Sequence, residues 1–418
     1  MSTPRHNSLR WLLPGLLLGL TLACTLPPLA PPARTPTPSA TSKTAPLPPT
    51  ATPAPTVTPA ANIALYSVGS PERPQLYAVD SEGASSNRER VAHRGSAVSR
   101  RGRWLALPTT LDAHSGYASA IEVRDTDTGR AFTIDLTAGF WLFEMAFDPA
   151  ETRLALLEMG WPEADYTPWA YIIVDLAEGS TRRFANSAAA ADHLPGQPLG
   201  WTADSQMLLV NAFIPYSDAG MMGVYAYTFP PEMASRPITE VTQRLVLSAP
   251  DYREQRLSAN GARMLYLNRT EGYMPTGYDP TEFMFDAAVN QLWVLDIDRD
   301  EREMWVEITD GGALHHVAAF SPDGTRVLFA AGDYVNNEFD TLTFQVHDGD
   351  RVTSIGPAPL APGDWLIDVA WCHPDHALVL TWNAVRYRLH LIPLSTGEAV
   401  EIAAEDHIAL LGCVYPDR

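Results

Sequence analysis

A short unit recurs six times along this chain, at intervals that few folds can accommodate. The clearest copy, FSPDGTRVLFAA from Phe320, joins an apolar residue, a Pro-Asp-Gly turn and an alternating apolar strand. Proline presets the backbone for such a turn, and glycine adopts the positive φ that a tight reversal requires. The other copies begin at Val98, Phe147, Trp201, Leu257 and Trp371. Successive copies start 49 to 63 residues apart, so the chain repeats one structural unit.

Between these copies, a strand that ends in a second turn recurs seven times. AIEVRDTDTG and YIIVDLAEG are clear examples, and VYAYTFPPE from Val224 has the same place with weaker turn residues. A period near 50 residues with several short strands is typical of a propeller blade and not of a helical solenoid. The sequence therefore predicts an all-β fold, a single β-propeller of four-stranded blades over residues 62–418. We expect seven blades, with six or eight as alternatives.

The C-terminal segment LGCVYPDR supplies the missing seventh copy of the opening unit. Its Pro-Asp matches Pro374 and Asp375 in the preceding copy. We expect this last strand to complete the blade whose other three strands begin at Ile63. Pairing of the N- and C-terminal strands would close the ring and remove exposed sheet edges.

These repeats resemble those of the bacterial TolB-like and WD-repeat-like β-propellers, in which an SPDG turn precedes a strand and a D-x-x-x-G hairpin. The resemblance covers nearly all of residues 62–418. It implies the propeller fold, and it carries no shared catalytic residues. It also implies a class of function, because such domains serve mostly as protein-binding platforms, although some accompany hydrolase domains.

The first 23 residues have the pattern of a secretory signal peptide. Arg5 and Arg10 precede the apolar run WLLPGLLLGLTLA, which at about a dozen residues is too short for a membrane-spanning helix. The sequence LTLAC resembles the lipobox of bacterial lipoproteins, which implies that Cys24 is lipidated and becomes the new N-terminus. We therefore expect an extracytoplasmic protein, anchored to a bacterial membrane through lipid on Cys24. An ordinary secreted protein is the alternative.

Residues 24–61 consist almost wholly of Pro, Thr, Ala and Ser. This composition offers too little apolar surface to form a core, and its prolines favour extended polyproline II. It predicts a semi-rigid stalk between the anchor and the domain, or a linker without a length requirement.

Charge restricts the partners of the domain. All 49 acidic residues lie at or after residue 62, together with 25 arginines, so the net charge of the domain is −24. A phosphate backbone requires a basic surface, so we expect no nucleic-acid partner. We expect a monomer whose partner is a protein or a glycan.

Two cysteines remain in the domain once Cys24 is assigned to lipid. Aligning the two Pro-Asp turns places Cys413 opposite Trp371, one residue out of phase with Cys372. Because successive strand residues face opposite sides, we expect two buried free thiols, with a disulfide as the alternative.

Catalytic motifs are absent from the sequence. It has no G-x-S-x-G, no H-E-x-x-H, no phosphate-binding Gly-rich loop and no Cys-x-x-Cys. The adjacent His315 and His316 precede an inner strand, where one would face the channel and the other the blade interior. We assign them a structural role, and we expect no metal, no cofactor and no catalytic residue.

The connections after the second strand of five blades are long and rich in aromatic and acidic residues. They belong to one face of a propeller, and rigid scaffolds carry binding residues on such loops. We predict that this face binds the partner through Trp161, Tyr166, Trp169, Tyr216, Tyr278, Phe283 and Tyr334, with Asp165, Asp218, Asp279 and Asp340. The competing interpretation is that these aromatic side chains pack over the blade edges as small cores.

Two functions fit this sequence. The first is a surface-anchored, non-catalytic binding propeller. The second is a propeller enzyme, a glycan hydrolase or lyase that uses carboxylates on the enlarged loop face. An enzyme requires two or three ionisable groups with shifted pKa values at the channel mouth, whereas a binding protein requires a broad aromatic surface.

Overall fold

The computed structural model describes residues 62–68, 75–90, 96–111, 118–161, 167–187, 193–215, 221–230, 235–248, 254–274, 289–335, 338–361 and 363–415. Cys24, the apolar run before it and the predicted stalk lie outside these ranges. The described part of the chain contains no helix that is long and apolar enough to cross a bilayer.

Nearly all of the described regular structure is β-strand, apart from a 3-10 turn at Ile238–Glu240. The first strands are β1 (Asn62–Val68), β2 (Gln75–Asp80), β3 (Ser85–Arg90), β4 (Ala97–Val98), β5 (Trp104–Leu111), β6 (Ala118–Asp125), β7 (Ala131–Asp135), β8 (Phe140–Phe147), β9 (Arg153–Gly160), β10 (Trp169–Asp175), β11 (Thr181–Ala185), β12 (Gly196–Trp201), β13 (Met207–Phe213), β14 (Met221–Thr228), β15 (Arg236–Pro237) and β16 (Thr242–Ser248). The remaining strands are β17 (Gln255–Leu257), β18 (Arg263–Asn268), β19 (Gln291–Asp296), β20 (Glu301–Glu307), β21 (Gly312–Phe320), β22 (Val327–Val335), β23 (Glu338–Phe339), β24 (Thr343–His347), β25 (Val352–Pro357), β26 (Trp365–His373), β27 (His376–Trp382), β28 (Tyr387–Pro393), β29 (Val400–Glu405) and β30 (Ile408–Cys413).

Within the described ranges these strands form seven antiparallel blades around a central channel, which confirms the predicted propeller. From the axis outward, the blades are β30-β1-β2-β3, β4 to β7, β8 to β11, β12-β13-β14-β16, β17 to β20, β21-β22-β24-β25 and β26 to β29. We number them blades 1 to 7 and call β30, β4, β8, β12, β17, β21 and β26 the inner strands. The short β15 extends blade 3 beside β11, and β23 pairs with β22.

Closure of the ring follows the prediction. The C-terminal β30 pairs with β1, with Ala64 opposite Cys413 and Val68 opposite Ile408. Blade 1 therefore combines the two ends of the domain, and its inner strand is held by the other three.

The prediction of two free thiols is wrong. Cys372 on the inner strand of blade 7 is bonded to Cys413 on the inner strand of blade 1, with their Cα atoms 4.8 Å apart. The alignment assumed unbroken alternation along both strands. However, β26 carries an extra residue between Ala370 and His373 relative to β27, and this irregularity turns Cys372 towards the blade that contains Cys413. The bond therefore joins the last blade to the strand that closes the ring.

Local hydrogen bonds explain why the opening unit recurs. After five inner strands, a Ser, Thr or Asp side chain accepts a hydrogen bond from the backbone N–H five residues later, and so closes the turn. These residues are Ser99, Asp148, Thr202, Ser258 and Ser321. In the hairpins between the third and fourth strands, an Asp side chain accepts a hydrogen bond from the backbone N–H two residues later. These residues are Asp80, Asp125, Asp175 and Asp348.

Five of the inner strands carry a bulge in their pairing with the second strand. One extra residue interrupts the register between Leu142 and Glu144, Pro198 and Gly200, Leu366 and Asp368, and Leu410 and Gly412. Two extra residues do so between Leu314 and Ala318. Bulges bend a strand and redirect its side chains. Here they recur on the strands that line the channel.

The blades define two faces of the domain. The turn face carries the turns from inner to second strand and the hairpins from third to outermost strand. The loop face carries the connections from second to third strand and from each outermost strand to the next inner strand. Contacts between neighbouring turns support this division, since the Arg101 N–H donates to Glu151 and Tyr415 N–H donates to Arg100.

Candidate functional site: the loop face and the channel mouth

Exposed apolar side chains are concentrated on the loop face and at the channel mouth that opens on it. Among the described residues, thirteen large hydrophobic side chains are exposed. Four lie on outermost strands, namely Leu245, Met304, Val352 and Val400. The other nine lie in loop-face connections or on the strand ends beside them, namely Phe143, Trp161, Ile214, Met221, Met222, Met274, Trp365, Ile367 and Val385. Apolar surface clustered in this way marks an interaction site more often than scattered single residues do.

Aromatic rings gather in two clusters on this face. Between blades 3 and 4, the ring of Trp161 lies 5.0 Å from that of Trp141, and Phe143 stacks on Phe213 at 5.1 Å. This cluster lies where β8 begins and where β9 and β13 end.

The second cluster lies on blade 7 and reaches blade 1. Trp365, which is 62% exposed, lies 5.1 Å from Trp382, and Tyr387 lies 6.2 Å from Trp382. His407, just before β30, meets the edge of Tyr387 at 5.4 Å. The two strands bring these residues together because Trp365 pairs directly with Trp382 across β26 and β27.

The predicted binding residues divide into three groups. Trp161 is 57% exposed, and Asp340 is exposed in the connection between β22 and β24 of blade 6. Tyr334 lies at the end of β22. The remaining loop residues, Asp165, Tyr166, Tyr216, Asp218, Tyr278, Asp279 and Phe283, lie outside the described residues.

Trp169 does not take the position that was expected of it. It is the first residue of β10, its side chain is 2% exposed, and its ring meets that of Tyr171 at 5.6 Å. Its backbone N–H donates to the Asn186 side chain at 2.8 Å. β10 begins at Trp169, two residues earlier than the strand expected from Tyr171. Trp169 therefore packs in the core between blades 3 and 4.

The loop face is acidic by sequence. Among the described residues of the fourteen connections assigned to it, seven are Asp or Glu and two are Arg. A surface with this balance attracts cations and basic protein segments and repels polyanions.

The channel contains a cavity of about 390 Å³ lined by residues from all seven inner strands or the turns that follow them. Most of the lining is apolar, as at Leu199, Leu257 and Leu411. Within the described residues, no three His, Cys, Asp or Glu side chains are grouped as a metal site would require.

One ion pair spans the channel. Arg256 on blade 5 donates from Nη2 to Oδ1 of Asp368 on blade 7 at 2.6 Å, and its Nε lies 3.6 Å from the Glu254 carboxylate. Burial alone would lower the pKa of Arg256, but the charges of Asp368 and Glu254 raise it above its usual value. This arginine therefore stays charged and neutralises one of the two carboxylates.

A second polar pair lies at the channel mouth between blades 3 and 4. Glu144 on β8 accepts a hydrogen bond from the Gln197 side chain of β12 at 3.4 Å. Burial raises the pKa of Glu144, and hydrogen bonds from the Met145 backbone N–H and from Gln197 only partly oppose this effect.

The adjacent histidines lie within β21, not before the inner strand as expected, in the stretch from Leu314 to Ala318 where the register with β22 is interrupted. Their rings lie 4.1 Å apart, so the two side chains do not alternate across the strand. His316 is exposed, whereas His315 is 8% exposed between the rings of His316 and Phe339. Burial lowers the pKa of His315 to about 3, with a smaller effect from His316. His315 is therefore neutral at physiological pH.

No protein-family model and no curated protein matches this sequence. Many solved structures match its fold. An oligogalacturonate lyase from Vibrio parahaemolyticus is 12% identical with a TM-score of 0.50, over 77% of this chain and 84% of that chain. The Pyrococcus horikoshii acylaminoacyl peptidase is 13% identical with a TM-score of 0.50, over 82% of this chain and 51% of that chain.

TolB from Acinetobacter baumannii is also among the matching structures. It is 14% identical, with a TM-score of 0.40, over 72% of this chain. The match spans 64% of that TolB chain. These neighbours differ in activity from one another, and at such identities the likeness shows the propeller fold alone.

Proposed function

We propose that this protein is a membrane-anchored extracytoplasmic lipoprotein whose propeller binds a protein partner through the loop face, without catalysis. The observation that carries the proposal is the distribution of exposed apolar side chains. All nine that do not lie on outermost strands lie on the loop face or the channel mouth. Apolar anchors within an acidic surface suit a protein segment that carries both apolar and basic residues.

The entry point of the described chain supports this arrangement. Residue Asn62 pairs with Asp80, at the start of a turn-face hairpin. The described chain therefore begins on the turn face, opposite the loop face.

Carboxylates in the channel are the basis of the alternative, a propeller glycan hydrolase or lyase. Such enzymes use a pair of carboxyl groups in different protonation states. In the described channel, Asp368 forms an ion pair with Arg256. Glu144 is a carboxyl group whose pKa is raised. We favour binding because the ion pair with Arg256 already engages the second carboxylate, Asp368.

Site-specific photo-cross-linking of the full chain in its native membrane tests the partner surface. A photoreactive residue at Trp161 or Trp365 should give a discrete adduct with one protein. The control positions Met304 and Val400 are also exposed and apolar, but they lie on outermost strands and should give none. Adducts of the same yield from all four positions would contradict the loop-face proposal, as would adducts to glycan alone.

The anchor has its own test. Cys24→Ser should release the protein from the membrane fraction, and the wild type should incorporate a fatty-acid analogue that the variant does not. Identical fractionation of the two proteins, with no label in either, would contradict the lipoprotein assignment.

A further inference from the structure

Glu144 has an unusual position among the carboxylates of this domain. Five other carboxylates that are buried or partly buried each pair with an arginine: Asp125 with Arg103, Asp148 with Arg153, Glu158 with Arg183, Asp364 with Arg388 and Asp368 with Arg256. Glu144 is also partly buried, yet among the described residues no Arg or Lys lies within ion-pair distance of it. Its contacts are the Met145 N–H and the Gln197 amide at 3.4 Å.

A partly buried carboxylate with so few donors is costly. An ionised carboxyl group can accept about four hydrogen bonds, and burial without a partner penalises its charge. The raised pKa of Glu144 reflects this penalty. A cation brought to Glu144 would therefore recover interaction energy that the protein alone does not supply.

Aromatic side chains lie beside this carboxyl group. Phe143 is 40% exposed although it is on an inner strand, and it stacks on Phe213 of blade 4 at 5.1 Å. Phe143 is the extra residue of the bulge in β8. Consecutive strand residues normally point to opposite sides, but here Phe143 and Glu144 both contact blade 4, through Phe213 and Gln197.

The bulge thus places an exposed aromatic face and a carboxylate side by side at the channel mouth. Ring faces attract guanidinium and ammonium groups, and a carboxylate supplies the charge-assisted hydrogen bond that fixes them. Arginine satisfies both requirements, because its planar group stacks on a ring while its N–H groups reach a carboxylate.

We propose that Phe143, Glu144, Gln197 and Phe213 form a binding site for an arginine or lysine side chain that enters the channel mouth from the loop face. This inference rests on the proposed function for the source of the side chain, which would belong to the loop-face partner. The Glu144 carboxylate receives the cation, the Gln197 carbonyl oxygen offers a second acceptor after the amide rotates, and the two phenyl rings cover the methylene groups.

Small amides of known charge test the site without the partner. We would titrate the purified full chain with arginine amide and with citrulline amide, which has nearly the same shape but a neutral side chain, and follow binding by NMR. Arginine amide should bind with saturation, and citrulline amide should bind at least about tenfold more weakly. In Glu144→Gln the affinity for arginine amide should fall about 10- to 100-fold, the range expected for one hydrogen bond between charged groups.

A matched variant and a stability measurement complete the experiment. Glu398→Gln makes the same change at an exposed residue of the turn face and should leave binding unchanged. Glu144→Gln should melt at or above the wild-type temperature, because it removes a carboxyl group that burial disfavours. Equal binding of the two amides, or equal affinity in wild type and Glu144→Gln, would overturn the proposal. If arginine amide binds as expected but cross-linking yields no loop-face adduct, the site stands and the proposed function fails.

Discussion

Arg256 on the inner strand of blade 5 donates a 2.6 Å hydrogen bond to Asp368 on the inner strand of blade 7, and so reaches across the channel past blade 6. The two residues are 112 positions apart in the chain. The interaction therefore links parts of the ring that have no sheet pairing in common. Both side chains are partly exposed, which limits the energy that the pair contributes.

Removing the cation of this pair should destabilise the ring more than removing the anion. Arg256→Met leaves the carboxylates of Glu254 and Asp368 close together without a cation, whereas Asp368→Asn leaves Arg256 beside Glu254. Denaturant titration of both variants and of the double variant should give a coupling energy of about 1 kcal/mol. Strictly additive effects would show that the pair does not couple the two blades.

The disulfide should stabilise the closed ring. Cys372 and Cys413 are 41 positions apart, and a cross-link that closes a loop of this length stabilises a domain by about 4 kcal/mol in the chain-entropy treatment. We expect the double variant Cys372→Ser with Cys413→Ser to melt at a lower temperature than the oxidised wild type. A reducing agent should lower the melting temperature of the wild type and leave that of the variant unchanged. An equal response of the two proteins to reduction would contradict this role.

His315 should make the stability of the domain depend on pH. Its pKa is lowered to about 3 in the folded state, against about 6.5 in the unfolded chain. Between these values the unfolded chain binds a proton that the folded protein does not, so stability falls as the pH falls. The slope from one such group is at most about 1.4 kcal/mol per pH unit.

His315→Leu removes this titration while keeping an apolar side chain of moderate size in the buried position. The free energy of unfolding, measured from pH 7 to pH 4, should fall more steeply for the wild type than for the variant. His316 is present in both proteins and serves as an internal control. Parallel curves would show that the pKa of His315 is the same in the folded and unfolded states.

Trp161 and Trp169 form a matched pair that separates binding from folding. Trp169→Ala should destabilise the domain by about 3–5 kcal/mol, because it empties a space in a packed core. Trp161→Ala should cost about 1 kcal/mol or less, since its side chain is mostly exposed and its ring is tilted against that of Trp141. Only Trp161→Ala should reduce capture of the loop-face partner at equal folded concentration. Similar melting temperatures for the two variants would contradict the placement of Trp169.

The fold was predictable because its signal is local. Ser321 and Asp348 close their turns through hydrogen bonds to residues two to five positions away, so each blade repeats the same turn chemistry in the sequence. The candidate site depends on contacts that the sequence does not display. Pairing of Trp365 with Trp382 follows from the register of two strands. The connection between β27 and β28 in their blade is short, so the sequence does not indicate an enlarged loop there.

Bulges account for the other differences between prediction and structure. The placement of Cys372 and of Glu144 depends on one extra residue in each inner strand. Simple alternation cannot anticipate such a residue, because no distinctive side chain marks its position. Trp169 was assigned to a loop, yet β10 begins at this residue.

Two glycines test whether lack of space or backbone conformation makes a Gly→Ala substitution more costly in this domain. A Cβ at Gly332 on β22 would overlap the carbonyl oxygen of Thr341, so Gly332→Ala must displace the backbone of the neighbouring connection. Gly349 lies in a hairpin with φ +96° and open space around it, so Gly349→Ala costs only the backbone strain of about 1–2 kcal/mol. Gly332→Ala should cost about 3 kcal/mol or more, by the mechanism of overpacking. Denaturant titration of the two variants shows which one loses more free energy of unfolding. A smaller loss for Gly332→Ala would mean that the backbone around Thr341 moves away without a measurable cost in stability.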